Sequence, residues 1–267
     1  MKKAKTIIIA LFTTMMLLLM ISGCSKERDI SDKIGIIGAM DEEVDSLKKE
    51  VANAKVTSIA GMEFYEGTLG GTEVVIVKCG VGKVNAGTCA QLVINTFGAK
   101  KVINTGVAGS LDASIDIGDI VVSTDAVQHD FDLSPVGYEK GQLDGMESAS
   151  FPADEDMRKN AVNAAKECAP EITVFEGRVC TGDQFIASDA QKKAITDEFG
   201  GLCCEMEGGA IAQICCQNNI PFVIVRAISD KADGSAEMSY AEFEHEAAMR
   251  CASIVRYMIM TSANRSL

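Results

Sequence analysis

Hydrophobic positions along the chain fall into short continuous runs separated by longer segments of helical period. "IGIIGA" (34–39), "EVVIVKC" (73–79), "KVINTGVAG" (101–109), "GDIVVSTDAV" (118–127) and "PFVIVRAISD" (221–230) are apolar almost throughout, as strands covered on both faces should be. Shorter strands are predicted near 172–180 and at "LCCEME" (202–207). Segments 40–51, 83–97, 154–168, 189–199 and 208–218 read as helices. "SYAEFEHEAAMRCASIVRYMIM" (239–260) reads as a long amphipathic C-terminal helix. Strands alternating with helices predict an α/β fold of three layers, αβα, with a central mostly parallel or mixed sheet and helices on both faces. No linker, internal repeat or low-complexity stretch divides 33–262, so this part is expected to be one domain.

The first residues follow a different pattern. Lys2, Lys3 and Lys5 precede an apolar run from Ile7 to Ile21, and Ser22-Gly23-Cys24 follow. A basic start, a greasy middle and small residues before a cut describe a secretory signal. The run is shorter than the roughly 20 residues that span a bilayer. "ISGC" resembles the bacterial lipobox, which implies that 1–23 are removed and that Cys24 is lipidated, with 24–32 a polar tether. Two acyl chains on Cys24 would suffice for stable anchoring. The expected address is therefore export with attachment to the cell membrane; an uncleaved membrane anchor is the alternative.

Composition narrows the partners. The 267 residues carry a net charge of −13, with 47% hydrophobic and 24% charged positions. Nucleic acid is excluded as a partner because phosphate binding needs a basic surface. Nine cysteines besides Cys24 lie mostly in apolar runs without loop spacing, which suits buried thiols better than a disulfide framework. With no CxxC pair and only two histidines, no metal site is expected. "HDFD" (129–132) opens a polar loop over 129–151 and reads as loop chemistry beside a site or at a subunit contact.

In α/β sheets, ligands bind beyond the carboxyl ends of the strands. Those ends carry Met40-Asp41-Glu42-Glu43, Ala108-Gly109-Ser110, Glu205-Met206-Glu207 and Ser229-Asp230. Acids in the first turn of a helix complement its dipole, which accounts for at least two of Asp41, Glu42 and Glu43. Asp230 could simply cap a turn. Glu205 and Glu207 are expected to share one strand face by alternation, and buried carboxylates need partners, so a ligand with hydroxyl donors explains them. "GVGKVNAGT" (80–88) lacks the third glycine of a dinucleotide fingerprint and the GK[ST] of a P-loop, and reads as a strand-to-helix turn.

"IGIIGAMDEEV" (34–44), "GVGKVNA" (80–86), "INTGVAGSL" (103–111), "GDIVVS" (118–123), "TGDQFI" (181–186), "EMEGGAIA" (205–212) and "PFVIVRAISD" (221–230) together resemble the bacterial 5′-methylthioadenosine/S-adenosylhomocysteine nucleosidases of the purine nucleoside phosphorylase superfamily. The resemblance runs in order over 33–260 and implies a nucleoside phosphorylase-like fold. It implies hydrolysis of the N-glycosidic bond of methylthioadenosine and adenosylhomocysteine, with 5′-deoxyadenosine a further candidate, releasing adenine without a cofactor. Glu43 would activate the attacking water, and Asp230, held by Ser229, would protonate adenine at N7. Phe185 and Ile186 would read the base, Glu207 the ribose hydroxyls, and Met206 would cover the sugar with Glu205 nearby. Met40, Val81 and Val107 would line the pocket beside the Ala108-Gly109 turn. Val107 stands where many members carry serine. Loop 129–138 would complete a partner's alkylthio pocket in a homodimer. A nucleoside-binding lipoprotein and a phosphorylase are the alternatives; acids rather than arginine at the first strand end favour water over phosphate.

Overall fold

The computed structural model describes residues 32–263. The signal segment, the lipidation site at Cys24 and nearly all of the tether lie outside the described residues. β1 (Ile34–Gly38) leads to α1 (Asp41–Glu50), then β2 (Ala52–Ile59), β3 (Met62–Leu69) and β4 (Thr72–Lys78). α2 (Lys83–Asn95), β5 (Lys101–Ser110), β6 (Ile120–Gln128), β7 (Ser150–Pro152) and α3 (Glu155–Cys168) follow. β8 (Val174–Thr181), α4 (Asp189–Phe199), β9 (Cys203–Glu205), α5 (Gly208–Gln217), β10 (Phe222–Asp230) and α6 (Ala236–Ala263) complete the order.

The ten strands form one mixed sheet in the order β10-β6-β8-β9-β5-β1-β4-β3-β2, with β7 beside β6. β10 also pairs with β5, so β5, β10, β6, β8 and β9 close on themselves. β1, β4, β5 and β10 run parallel where they pair, whereas β9 runs antiparallel to β5. Alternation splits the core. Val223 and Val225 of β10 join Ile34 and Ile36 beneath α1, α3 and α6. Phe222, Ile224 and Ile37 join Ala86, Cys89, Ile211 and Cys215 of α2 and α5 on the other face. β1 and the first part of β10 (222–225) are apolar at every position because helices cover both sides.

The expected runs at 34–39, 101–109 and 221–230 stand within a residue or so of β1, β5 and β10. The hairpin β2–β3 was not expected. β2, "ANAKVTSI", is exposed over most of its length, and its polar sequence carries neither a buried run nor a clean alternation. β9 is also shorter than the predicted 202–207: it stops at Glu205, and Glu207 is already the cap of α5. Of the nine described cysteines, all free, seven are buried.

Candidate active site

Glu43 is the third residue of α1 and 1% exposed. Its Oε2 accepts from the backbone N–H of Ala39 (2.6 Å) and Met40 (3.1 Å), and its Oε1 from Val107 N–H (3.1 Å). The β1–α1 turn and the middle of β5 thus donate to one carboxylate, which the helix N-terminus also favours. Burial nevertheless pushes the carboxyl above its ordinary range, with Arg226 and the three N–H groups opposing the shift.

Arg226 lies in the middle of β10 and is the largest fully buried side chain. Its Nη2 meets Glu205 and donates to Asn104 Oδ1 at 2.6 Å, while Nη1 reaches Val107 O at 3.4 Å. Glu207 Oε2 is 3.8 Å from Nη2. Gly106, the register partner of Arg226, leaves the gap in which Nη1 and Glu43 Oε1 come together; a Cβ there would overlap both. One guanidinium therefore faces three buried carboxyl groups, and this excess of acid raises Arg226 above its ordinary range through Glu205, Glu207 and Glu43, against the opposing effect of burial.

Glu205 and Glu207 do not share a strand face. β9 runs back along β5, so Glu205 descends towards Arg226, where its carboxylate accepts from Arg226, Thr181 Oγ1, Glu207 N (3.1 Å) and Gly208 N (2.7 Å). It caps α5 and is spent on protein donors. Glu207 turns the other way, and its Oε1 accepts Gly82 N–H at 2.9 Å. Burial, with Glu205 close by, pushes the Glu207 carboxyl up to about 7. Gly209 lets the α5 terminus sit against Thr181, whose Oγ1 accepts its N–H at 2.6 Å; a Cβ on Gly209 would stand 2.9 Å from that side chain.

Asp230 ends β10 and is 3% exposed. Ser229 Oγ donates to its Oδ2 (2.9 Å), and Ala232 N–H to its Oδ1 (2.8 Å). Burial pushes this carboxyl up as well, against those two bonds.

Glu43, Glu207 and Asp230 open on one cleft of about 220 Å³, lined by every residue proposed from the sequence for catalysis or substrate binding. Met40, Val81, Val107 and Met206 give it apolar walls, and Ala108-Gly109, Phe185 and Ile186 border the Asp230 end. Gly109 is needed there: a Cβ would stand 2.7 Å from Asp230 Oδ1. Phe185 is 44% exposed and meets Tyr240 edge-on, with ring centroids 5.5 Å apart. "HDFD" does not line this cleft: His129, Asp130 and Asp132 border a neighbouring hollow, and Asp130 accepts from Lys83 Nζ (2.5 Å) and Asp183 N–H (2.8 Å).

Arg226 and Tyr240 are among the lining or organising residues that escaped the sequence reading. Arg226 had a signal, a lone cation in an apolar strand, which must find buried acids. Tyr240 had none, because an aromatic residue on an amphipathic helix is ordinary core material.

An αβα enzyme whose cleft is built from buried carboxyl groups at strand ends is the class this geometry defines. Within it, the chain belongs to the phosphorylase superfamily, whose sequence profile matches residues 33–260. A 5′-methylthioadenosine/S-adenosylhomocysteine nucleosidase of Psychromonas ingrahamii is 44% identical over 231 residues, 85% of this chain and 98% of that protein. The crystal structure of the nucleosidase of that name from Neisseria meningitidis, in complex with methylthio-immucillin-A, superposes with a TM-score of 0.83 at 36% identity, covering 86% of this chain and 99% of the other. Futalosine hydrolase of Helicobacter pylori has the same fold at TM-score 0.81 and 32% identity, covering 86% and 98%.

Proposed function

We propose that this chain hydrolyses the N-glycosidic bond of 5′-methylthioadenosine and S-adenosylhomocysteine, releasing adenine. The observation that carries the choice of water over phosphate is the placement of Glu43. Its carboxylate already takes the N–H groups of Ala39, Met40 and Val107, donors that could otherwise cradle an anion, and it repels a phosphate. Arg226 is likewise spent on Glu205 and Asn104.

In this reading the C1′–N9 bond breaks with its electron pair going to adenine, and Asp230 delivers a proton to N7. Burial raises its carboxyl, the direction a proton donor needs, while the Ser229 hydroxyl orients the group and opposes the shift. The sugar becomes oxocarbenium-like, and a cleft with more carboxylates than cations stabilises that positive charge. Glu207 accepts from the ribose hydroxyls, Met206 packs on the sugar, and Phe185 with Ile186 holds the base. Water adds to C1′ and gives its proton to Glu43, whose raised carboxyl makes it a more effective base.

Incubating the protein with methylthioadenosine and following adenine tests this directly. Tight binding without release would leave only a binding protein, and a sugar 1-phosphate formed on adding phosphate would make it a phosphorylase.

The same reading includes a homodimer and a lipid anchor. Val84 and Val136, 80% and 70% exposed, stand on the segments beside the cleft and support burial against a second copy, with loop 129–138 facing the partner's site. Light scattering tests the dimer. The "ISGC" segment supports export and attachment through Cys24, and incorporation of labelled fatty acid, lost in Cys24→Ala, tests it.

A further inference from the structure

Neither Asp130 nor Asp183 lines the cleft, yet both reach the turn that bounds one side of it. Each stands two residues beyond a strand, and those strand ends, Gln128 of β6 and Thr181 of β8, are partners in register. The parallel pairing therefore brings together two acids that are 53 residues apart in the chain. Asp130 Oδ2 accepts Asp183 N–H, and its Oδ1 accepts Lys83 Nζ. Burial pushes the Asp130 carboxyl up, but these two bonds outweigh it and hold the group below its ordinary range, so Asp130 stays ionised.

Asp183 Oδ1 accepts Lys83 N–H at 2.8 Å, at the first residue of α2. The cap position of α2 is Gly82, which has no side chain for this bond and whose φ of 97° favours glycine. Asp183 therefore caps the helix from another loop. It also packs on Gly82, where a Cβ would stand 3.1 Å from Asp183 Oδ1. Gly82 N–H donates to Glu207 Oε1 at 2.9 Å, and Val81 beside it lines the cleft. Burial and Glu205 raise the Glu207 carboxyl, and the Gly82 bond is among the groups that oppose them.

We propose that Asp130 and Asp183 are positioning residues for ribose recognition: with Lys83 they hold the Gly82 N–H on Glu207 and keep that carboxylate ready to accept from the ribose hydroxyls. The inference rests on the reading that Glu207 meets the ribose. Without the clamp, Gly82 moves away and Glu207 loses a donor that favours its charged form. A protonated carboxyl is then the poorer acceptor for a hydroxyl. Both aspartates act through the Gly82–Lys83 turn and touch no part of the nucleoside.

The test is kcat and KM for methylthioadenosine, from adenine release, on both sides of neutral pH. The proteins are the wild type, Asp130→Ala, Asp183→Ala, Asp183→Asn and Glu207→Gln. Each alanine variant is expected to raise KM roughly tenfold near neutrality, the scale of one hydrogen bond to a charged group, with kcat changed far less. The excess should shrink as pH rises and Glu207 ionises again. Asp183→Asn keeps an oxygen for Lys83 N–H and should restore the wild-type KM. An unchanged KM in either alanine variant overturns the inference. So does a loss confined to kcat, an excess in KM that ignores pH, or an asparagine variant as impaired as the alanine one. If Glu207→Gln leaves KM unchanged, ribose recognition by Glu207 falls, and the inference with it. If Glu207→Gln raises KM and the aspartate variants do not, only the inference falls.

Discussion

Glu205 closes on the guanidinium of Arg226 inside the closed part of the sheet, with the two side chains 2% and 1% exposed. Glu205 is one of two acids in "EMEG", yet it is the floor of the cleft, and Glu207 is the acid left with an oxygen facing it. Removing Glu205 leaves a guanidinium buried without its nearest partner. Glu205→Ala is expected to lose about 3–5 kcal/mol of stability, read from urea midpoints. A loss below about 1 kcal/mol would mean that Arg226 finds full compensation in Asn104 and Glu207.

The acid and base assignments separate on a pH–rate profile. Glu43 and Asp230 both titrate above the ordinary carboxyl range. A base must be ionised, so kcat/KM falls as pH drops through the Glu43 value; an acid must be protonated, so it falls as pH rises through the Asp230 value. Glu43→Gln and Asp230→Asn are each expected to cost at least ~10²-fold, the former flattening the acid limb and the latter the alkaline limb. Full turnover in either variant would remove that residue from the mechanism.

Stability without substrate should depend on pH through Glu207. Its carboxyl goes from an ordinary 4.5 to about 7 in the folded chain, so between those values the folded state holds a proton that the unfolded state has released. The resulting stabilisation is fully present below pH 4.5 and is lost as pH rises through 7. Glu43 and Asp230, shifted the same way, add to the trend. The slope per group is at most about 1.4 kcal/mol per pH unit. Urea midpoints at several pH values should fall over this window, and Glu207→Gln should flatten the curve; a rise with pH would contradict the shift.

Gly106 has a role that no catalytic assignment gives it. A Cβ there would overlap Arg226 Nη1 and Glu43 Oε1, so Gly106→Ala must push them aside. The expected result is a stability loss of about 1–3 kcal/mol, as for other overpacked sites, together with at least ~10-fold loss of kcat. Retention of wild-type kcat would mean that Glu43 tolerates the displacement.

Some of this was legible without coordinates and some was not. "IGIIGA" and "PFVIVRAISD" announced β1 and β10 because a strand covered on both faces must be apolar throughout. "ANAKVTSI" announced nothing, because β2 is an exposed edge whose partner β3 is supplied by the fold. Glu43 and Asp230 could be shortlisted because each stands at the end of a buried strand, where the chain opens on the ligand side, but their roles came only from the family resemblance. Tyr240 could not, since it enters the cleft from a helix nearly two hundred residues away from its contact Met40.

Sequence by itself determined the layers, the strand ends that carry acids, and the family. Those are local: hydrophobic runs and motif spacing follow from backbone period and from what burial permits at each position. Only the tertiary structure decided where the two acids of "EMEG" face. β9 runs antiparallel to β5, and this turns Glu205 down to Arg226 and leaves Glu207 at the cleft. Two identical side chains two residues apart differ because a buried carboxylate takes its character from whichever donors the fold brings to it.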